Sequence, residues 1–349
     1  LGEDYELSPP YYIRYNYRTF TMPSVRFSHG SRLLFGDGPR WYNSIYYSIK
    51  SDFQLNKYNG YTKDKDSEIN FDNETYENQI DTTSYSNGAN HNISISGSYK
   101  ILKWFNISPN LRMKESWIYG YREARINEDG DFIKIFDNNY NLIDYKYEPE
   151  IEEFKRRLTG SMSVSLSTKL YGMFLVRIFN LHGIRHTITP SMTYSYTPDF
   201  SQSSLWGFKT DYFKESPSGE KFDLFRNSLV SSTPKGESQS YGFTIKNDFR
   251  GKFYKDGEYK KNQLFNTSTS ISYSPLKEEF QWSTLRTTIT KNTPMFNFDI
   301  KLTHDLYEFK SIALPSPPHN DGRVNNYASS PRLTYLSSGI NFSLFGKKV

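Results

Sequence analysis

Six histidines, His29, His91, His182, His186, His304 and His319, are the side chains best suited to metal or proton chemistry. His182 and His186 are four apart, the spacing that lets two imidazoles share a zinc ion on one helix face. The residues around them read as loop and strand, where that spacing has no such meaning, so neither a metal nor any other cofactor is expected. Arg185 and His186 could hold a phosphate or another acidic group, because a guanidinium pairs bidentately with oxyanions. Successive residues of a regular strand point to opposite faces, however, and the two could not then reach one ligand. The alternative is that they set a turn and a strand start. Pro190 and Pro198 favour it, since proline in a sheet belongs at strand ends, bulges or edges. A serine hydrolase needs a Ser, a His and a carboxylate or amide brought together, and the Gly-x-Ser-x-Gly elbow is absent. No cysteine is present as nucleophile or thiolate ligand, and no phosphate-binding loop for ATP is found. The chain is therefore not expected to be an enzyme.

What the serines share is spacing. Ser94, Ser96 and Ser98 alternate with Ile93 and Ile95, and Ser161, Ser163, Ser165 and Ser167 alternate with Met162, Val164 and Leu166. A period of two puts successive side chains on opposite faces of a strand. The same rule runs through Tyr42 to Leu55, Phe105 to Tyr119, Ile184 to Tyr196, Gln239 to Arg250, Phe265 to Tyr273, Phe296 to Thr303 and Leu333 to Leu344. With Tyr11 to Phe20, about 10 to 12 strands are expected by this template. Several runs last ten residues or more, which suits a tilted strand crossing a bilayer better than the roughly 5 to 6 residues usual in a soluble sandwich. The expected fold is all-β, an antiparallel transmembrane β-barrel or a large segment of one. Its serines would face a wet lumen, as a hydrophilic slide for sugar and phosphate head groups or as an ordinary solvated wall. Ile93, Ile95, Met162, Val164 and Leu166 would face lipid.

Composition agrees with two differently wetted faces. The chain has 349 residues with 29 Tyr, 26 Phe and 5 Trp, yet its mean hydropathy is −0.73. Soluble domains fill their cores with aliphatic residues, whereas here the apolar share is rich in rings, which suit a membrane interface. No run approaches the roughly 18 to 20 apolar residues of a membrane helix, but a barrel strand needs only about 10. The net charge of +5 is mild and its cations are spread among acids, so no nucleic-acid partner is expected.

The stretches near 56–90, 120–153, 201–237 and 306–330 are acidic, Asn-rich, mixed or Pro-rich and read as long loops on one rim. Ser274-Pro275 and Asn292-Thr293-Pro294 read as short turns. The whole of 1–349 reads as one barrel segment. Both ends look clipped from a longer protein, with no signal peptide and no N-terminal periplasmic domain visible.

From Gly172-Met173-Phe174 through Ile184-Arg185-His186-Thr187-Ile188-Thr189-Pro190-Ser191-Met192-Thr193-Tyr194-Ser195-Tyr196-Thr197-Pro198-Asp199-Phe200, the sequence resembles the barrel domain of the lipopolysaccharide-assembly family LptD, also called organic solvent tolerance protein. The Arg185-His186, Pro190, Tyr194-x-Tyr196-x-Pro198-Asp199-Phe200 order resembles the version found in Bacteroidota, as do Met22-Pro23-Ser24-Val25-Arg26-Phe27-Ser28 and Trp41 to Ser48. The resemblance is loose over residues 20 to 345 and close over Ile184 to Phe200. It implies an integral protein of the Gram-negative outer membrane that takes lipopolysaccharide from periplasmic bridge proteins and releases it sideways into outer-membrane lipid. It also implies a plug lipoprotein of the LptE type. The alternative is another outer-membrane transport barrel, a porin or nutrient receptor. The cysteines that link the periplasmic domain to the barrel in proteobacterial members are absent.

Overall fold

The computed structural model describes residues 18–63, 79–136, 142–205, 207–226, 228–255, 257–292, 296–309 and 323–342. In chain order the strands are β1 (Arg18–Leu33), β2 (Ile45–Lys63), β3 (Gln79–Gly97), β4 (Tyr99–Ile101), β5 (Phe105–Tyr121), β6 (Lys134–Phe136), β7 (Leu142–Tyr145), β8 (Ile151–Thr168), β9 (Leu170–Phe174) and β10 (Leu181–Thr197). They continue with β11 (Ser204–Leu205), β12 (Phe208–Lys209), β13 (Phe213–Glu215), β14 (Lys221–Asp223), β15 (Ser238–Lys255), β16 (Glu258–Tyr273), β17 (Leu285–Asn292), β18 (Phe296–Phe309) and β19 (Arg323–Phe342). A short 3-10 turn, Trp41–Ser44, precedes β2.

Long strands pair with their sequence neighbours, all antiparallel, in the order β1-β2-β3-β5-β8-β10-β15-β16-β17-β18-β19. Among the described residues no pairing joins β1 to β19, so the sheet is an open meander and no closed barrel is seen. No helix of the described residues is long and apolar enough to cross a membrane.

Two strands of this meander are interrupted, and proline explains both breaks. β3 and β4 share one register against β5, Ser96 opposite Asn110 and Tyr99 opposite Ile107, and part at Ser98, across from the Pro109 neighbourhood. β8 and β9 likewise share one register against β10, Ser167 opposite Ser191 and Leu170 opposite Ile188, and part at Lys169, one position past the residue across from Pro190. Proline has no N–H to donate, so the ladder skips there while the strand runs on. Pro190 thus lies mid-strand, paired with Ile245 on its other side. The expectation of a strand end at Pro190 is corrected, and so is a strand start at Arg185-His186, because β10 begins at Leu181.

The connections at 34–44, 102–104 and 175–180 lie on one rim of the meander, and those at 122–150, 198–237 and 274–284 on the other. The tightest of them, Leu102-Lys103-Trp104, holds Leu102 and Lys103 at positive φ, 51° and 64°, an unusual conformation for residues with a side chain. Ser274-Pro275, expected as a short turn, instead opens an eleven-residue connection on the long-loop rim, 274–284. β2 and β3 run on to Lys63 and back to Gln79, so much of 56–90, expected as loop, is strand. β17 was not foreseen because Thr occupies both of its faces. Tyr11 to Tyr17 of the expected first strand lies outside the described residues, and β1 extends instead through Leu33. Thr293-Pro294 of the expected second turn, and 310–322 of the expected last loop, also lie outside the described residues.

Candidate functional site

Register alone sorts the sheet into two faces. On one, Ile49, Ile93 and Met113 stand side by side, then Tyr47, Ile95, Leu111, Met162 and Tyr196, then Ile107, Leu166, Met192, Phe243 and Ile271. These side chains do not fill a core: Met162 is 43% and Leu166 39% exposed. Toward the long-loop ends the same face carries rings, with Tyr194 5.0 Å from Tyr241 and Tyr273 4.9 Å from Trp282. Eight residues nearer the other rim, about 27 Å along the strand at 3.4 Å per residue, His186 stacks on Phe249 at 4.1 Å and Phe249 on Phe265 at 4.5 Å.

The opposite face is polar from β2 to β15. Ser161, Ser163, Ser165 and Ser167 face Arg112, Asn110, Ser108 and Asn106 on β5, and the last three of those serines face Ser195, Thr193 and Ser191 on β10. Ser165 and Thr193 share a 2.8 Å hydrogen bond, and Asn110 Nδ2 donates to Ser94 Oγ at 3.2 Å. Ser94 and Ser96 lie on this face beside Arg112 and Asn110, and Ser98 sits at the β3–β4 break.

One cross-strand row of this face is a continuous hydrogen-bond chain. Asp52, Asn90, Ser116 and Arg157 stand in line on β2, β3, β5 and β8. Asn90 donates to Asp52 at 3.3 Å, Ser116 to Asn90 at 2.9 Å, and Arg157 Nη2 to Ser116 at 3.4 Å. Arg157 is only 1% exposed, because the segment between β10 and β15 folds down onto it. Its Nη1 donates to Thr233 Oγ1 at 2.7 Å, its Nη2 to the Ser231 carbonyl at 2.6 Å, and its guanidinium lies 4.5 Å from the Phe225 ring centre. Thr233 in turn donates its amide and hydroxyl to the Asp223 carboxylate, both at 2.7 Å. The loop approaches β3 so closely that a Cβ on Gly88 would meet Leu229 Cβ at 3.1 Å.

A hydrophobic core exists, but in the connections. Ile118 and Tyr121 at the end of β5 pack with Ala124, Phe132 and Tyr145 from 122–150 and with Phe222, Leu224, Phe225 and Val230 from 198–237. Ion pairs join the two segments, Lys214 to Glu123 at 2.5 Å and Lys134 to Glu220 at 2.9 Å. Beyond the last β8–β10 pair, Tyr212 Oη takes the place of a strand partner, accepting from the Leu158 amide at 3.0 Å and donating to its carbonyl at 3.1 Å. Sequence reasoning missed this core. Its signal was the set of rings, Phe132, Tyr145, Tyr147, Tyr212, Phe222 and Phe225, in segments that a merely solvated loop would leave polar.

The predicted site residues separate as strand parity dictates. Arg185 lies on the polar face opposite Arg250, and His186 on the apolar face, where its Nε2 is 3.0 Å from Asn247 Oδ1. His182 meets the rings of Tyr254 and Tyr259 instead of His186, and no cluster able to hold a metal is found among the described residues. Asp199 closes the long segment at its base, its Oδ1 accepting from the amides of Ser201 and Gly236, both at 2.9 Å. Partial burial would raise this carboxyl, but hydrogen bonds from the Ser201 side chain and amide, the Gly236 amide and the Gln202 side chain outweigh it and hold the carboxyl below its ordinary range. Phe200 is buried beside it.

Next to the Asp52–Arg157 row lie two more, Lys50–Asn92–Lys114–Thr159 and Ser48–Ser94–Arg112–Ser161. With Thr197 and Pro234 they line a cavity of about 530 Å³. Lys114 Nζ donates to Ser231 Oγ at 2.7 Å, tying the cavity wall to the folded-down loop.

A family model described as LptD protein matches residues 13–307. No curated protein and no solved structure gives a significant match.

Proposed function

Because the chain belongs to the LptD family, we propose that it carries lipopolysaccharide into the outer leaflet of the Gram-negative outer membrane, as an integral β-barrel with the polar face inside. The observation that carries this reading is the exposure of one aliphatic face along most of the meander. Apolar area left in water forgoes about 25 cal/mol per Å², whereas in hydrocarbon the same area costs nothing. The ring pairs near both ends suit the two interfaces of an apolar band about 25 Å tall. Ile93, Ile95, Met162, Val164 and Leu166 then meet lipid, and Ser94, Ser96, Ser98, Ser161, Ser163, Ser165 and Ser167 line the lumen.

In this reading the saccharide occupies the lumen and the acyl chains leave sideways into the membrane. The role is transport and assembly, not catalysis. The segment 198–237, of which 201–237 was expected as a long loop on one rim, covers part of the lumen, and a plug lipoprotein of the LptE type and periplasmic bridge proteins complete the path. Family membership favours this over a porin or nutrient receptor.

A photoreactive residue placed at Ser94, Ser163 or Ser195 in living cells tests the reading. The expected result is lipopolysaccharide cross-linked to each of these positions on illumination. Folded protein that yields no such adduct at any of the three overturns it.

A further inference from the structure

We propose that the cavity beneath Pro234 is a binding site for a phosphate group, held by Lys50 and Arg112 with Lys114 at its wall. Adjacent strands lie about 4.8 Å apart, so the rows Lys50–Asn92–Lys114 and Ser94–Arg112–Ser161 place Lys50 on β2 two strands, about 10 Å, from Lys114 and Arg112 on β5, all three on one face. The nearest carboxylate in the rows, Asp52, accepts from Asn90. Arg157 is engaged by the loop, and Lys114 by Ser231. Lys50 and Arg112, by contrast, have no hydrogen bond or ion pair among the described residues, and both are exposed to the cavity they line.

Three like charges this close repel one another, and a dianion between them removes the repulsion. The guanidinium fork of Arg112 fits two oxygens of a tetrahedral phosphate, and the ammonium of Lys50 supplies a point charge. Ser94 and Ser161 flank Arg112 directly, so their hydroxyls can donate to the remaining oxygens, as can the Asn92 amide. A volume of about 530 Å³ admits a phosphorylated sugar and not only a bare ion. The phosphate can come from a glycolipid head group or from free phosphate, and only the first source rests on the transport reading.

The test uses the purified chain in detergent, with Lys50→Ser, Arg112→Ser and the double variant, and Lys277→Ser in the exposed 274–284 connection as control. Binding is measured for lipopolysaccharide, for the same lipopolysaccharide after phosphatase treatment, and for inorganic phosphate, with heat-modifiable gel mobility reporting the fold. The expected result is that phosphatase treatment and the double variant each weaken lipopolysaccharide binding by roughly tenfold or more, the control leaving it unchanged. Inorganic phosphate bound in a Lys50- and Arg112-dependent way, without lipopolysaccharide binding, supports the site while removing the transport reading. Lipopolysaccharide bound equally with and without its phosphates, and equally by the folded double variant, overturns the site and leaves transport standing.

Discussion

Arg157 and Thr233, 76 residues apart in the chain, are joined by a 2.7 Å hydrogen bond from guanidinium Nη1 to hydroxyl Oγ1. Through it, a strand residue of the polar face fixes the position of the segment between β10 and β15. The guanidinium supplies donors to Thr233, Ser231 and Ser116 at once, a fork that an ammonium cannot reproduce.

Replacing Arg157 by Met is expected to release the loop while keeping the sheet. Losing hydrogen bonds from a charged donor and leaving the Ser231 carbonyl unmatched should lower the opening free energy of 223–236 by about 3 kcal/mol. Hydrogen exchange reads this directly: amides of 223–236 should lose protection while those of β10 and β15 keep theirs. Arg157→Lys should rescue little, and unchanged protection in both variants would refute the anchoring role.

The assignment of faces is tested by two neighbours on β8. Ser163→Ala should leave assembly and urea resistance in vesicles within about 0.5 kcal/mol of the parent. Leu166→Arg, which puts a charge on the exposed apolar face, should cost about 2–4 kcal/mol if that face meets hydrocarbon. Equal tolerance at the two positions would contradict the assignment.

Pro190 predicts a gain on substitution. Pro190→Thr restores an N–H opposite the β8–β9 break, where the register on both sides is already continuous. The new amide should exchange slowly, and the sheet should gain about 1 kcal/mol. A freely exchanging amide at 190 would show that something other than the missing donor parts β8 from β9.

Asp199 carries a pH dependence. Its carboxyl is held below the ordinary range, so its contribution is present above the unfolded value of about 3.9 and is lost as pH falls through the lower folded value. Protection factors of the Ser201 and Gly236 amides should therefore be steady at neutral pH and collapse below about pH 4, a fall that Asp199→Ala abolishes by lowering protection at every pH. An acid profile identical in the variant would remove Asp199 from the loop closure.

Much of this architecture is legible in the order of residues. Period-two polarity is a local property, and it marks most of the long strands and sorts Ser161 to Ser167 from Met162 to Leu166 onto opposite faces. Parity alone also predicts that Arg185 and His186 cannot share a ligand, and they lie on opposite faces. β17 escapes because Thr287, Thr288 and Thr290 are equally at home on either face, so its pairing has to come from its neighbours.

Three things needed the tertiary structure. The cation rows exist only because register brings Lys50 of β2 into line, across β3, with Lys114 of β5 and next to the Arg112 row, and no local pattern encodes cross-strand register. The descent of 198–237 onto Arg157 depends on rings that find partners roughly a hundred residues away in the chain, so a mixed composition looks like a solvated loop. A mid-strand proline looks like a strand end, since its missing donor matters only on the side where a partner strand stands. Local alternation decides which way a side chain points. Which other side chains it then meets is settled by pairing across the sheet.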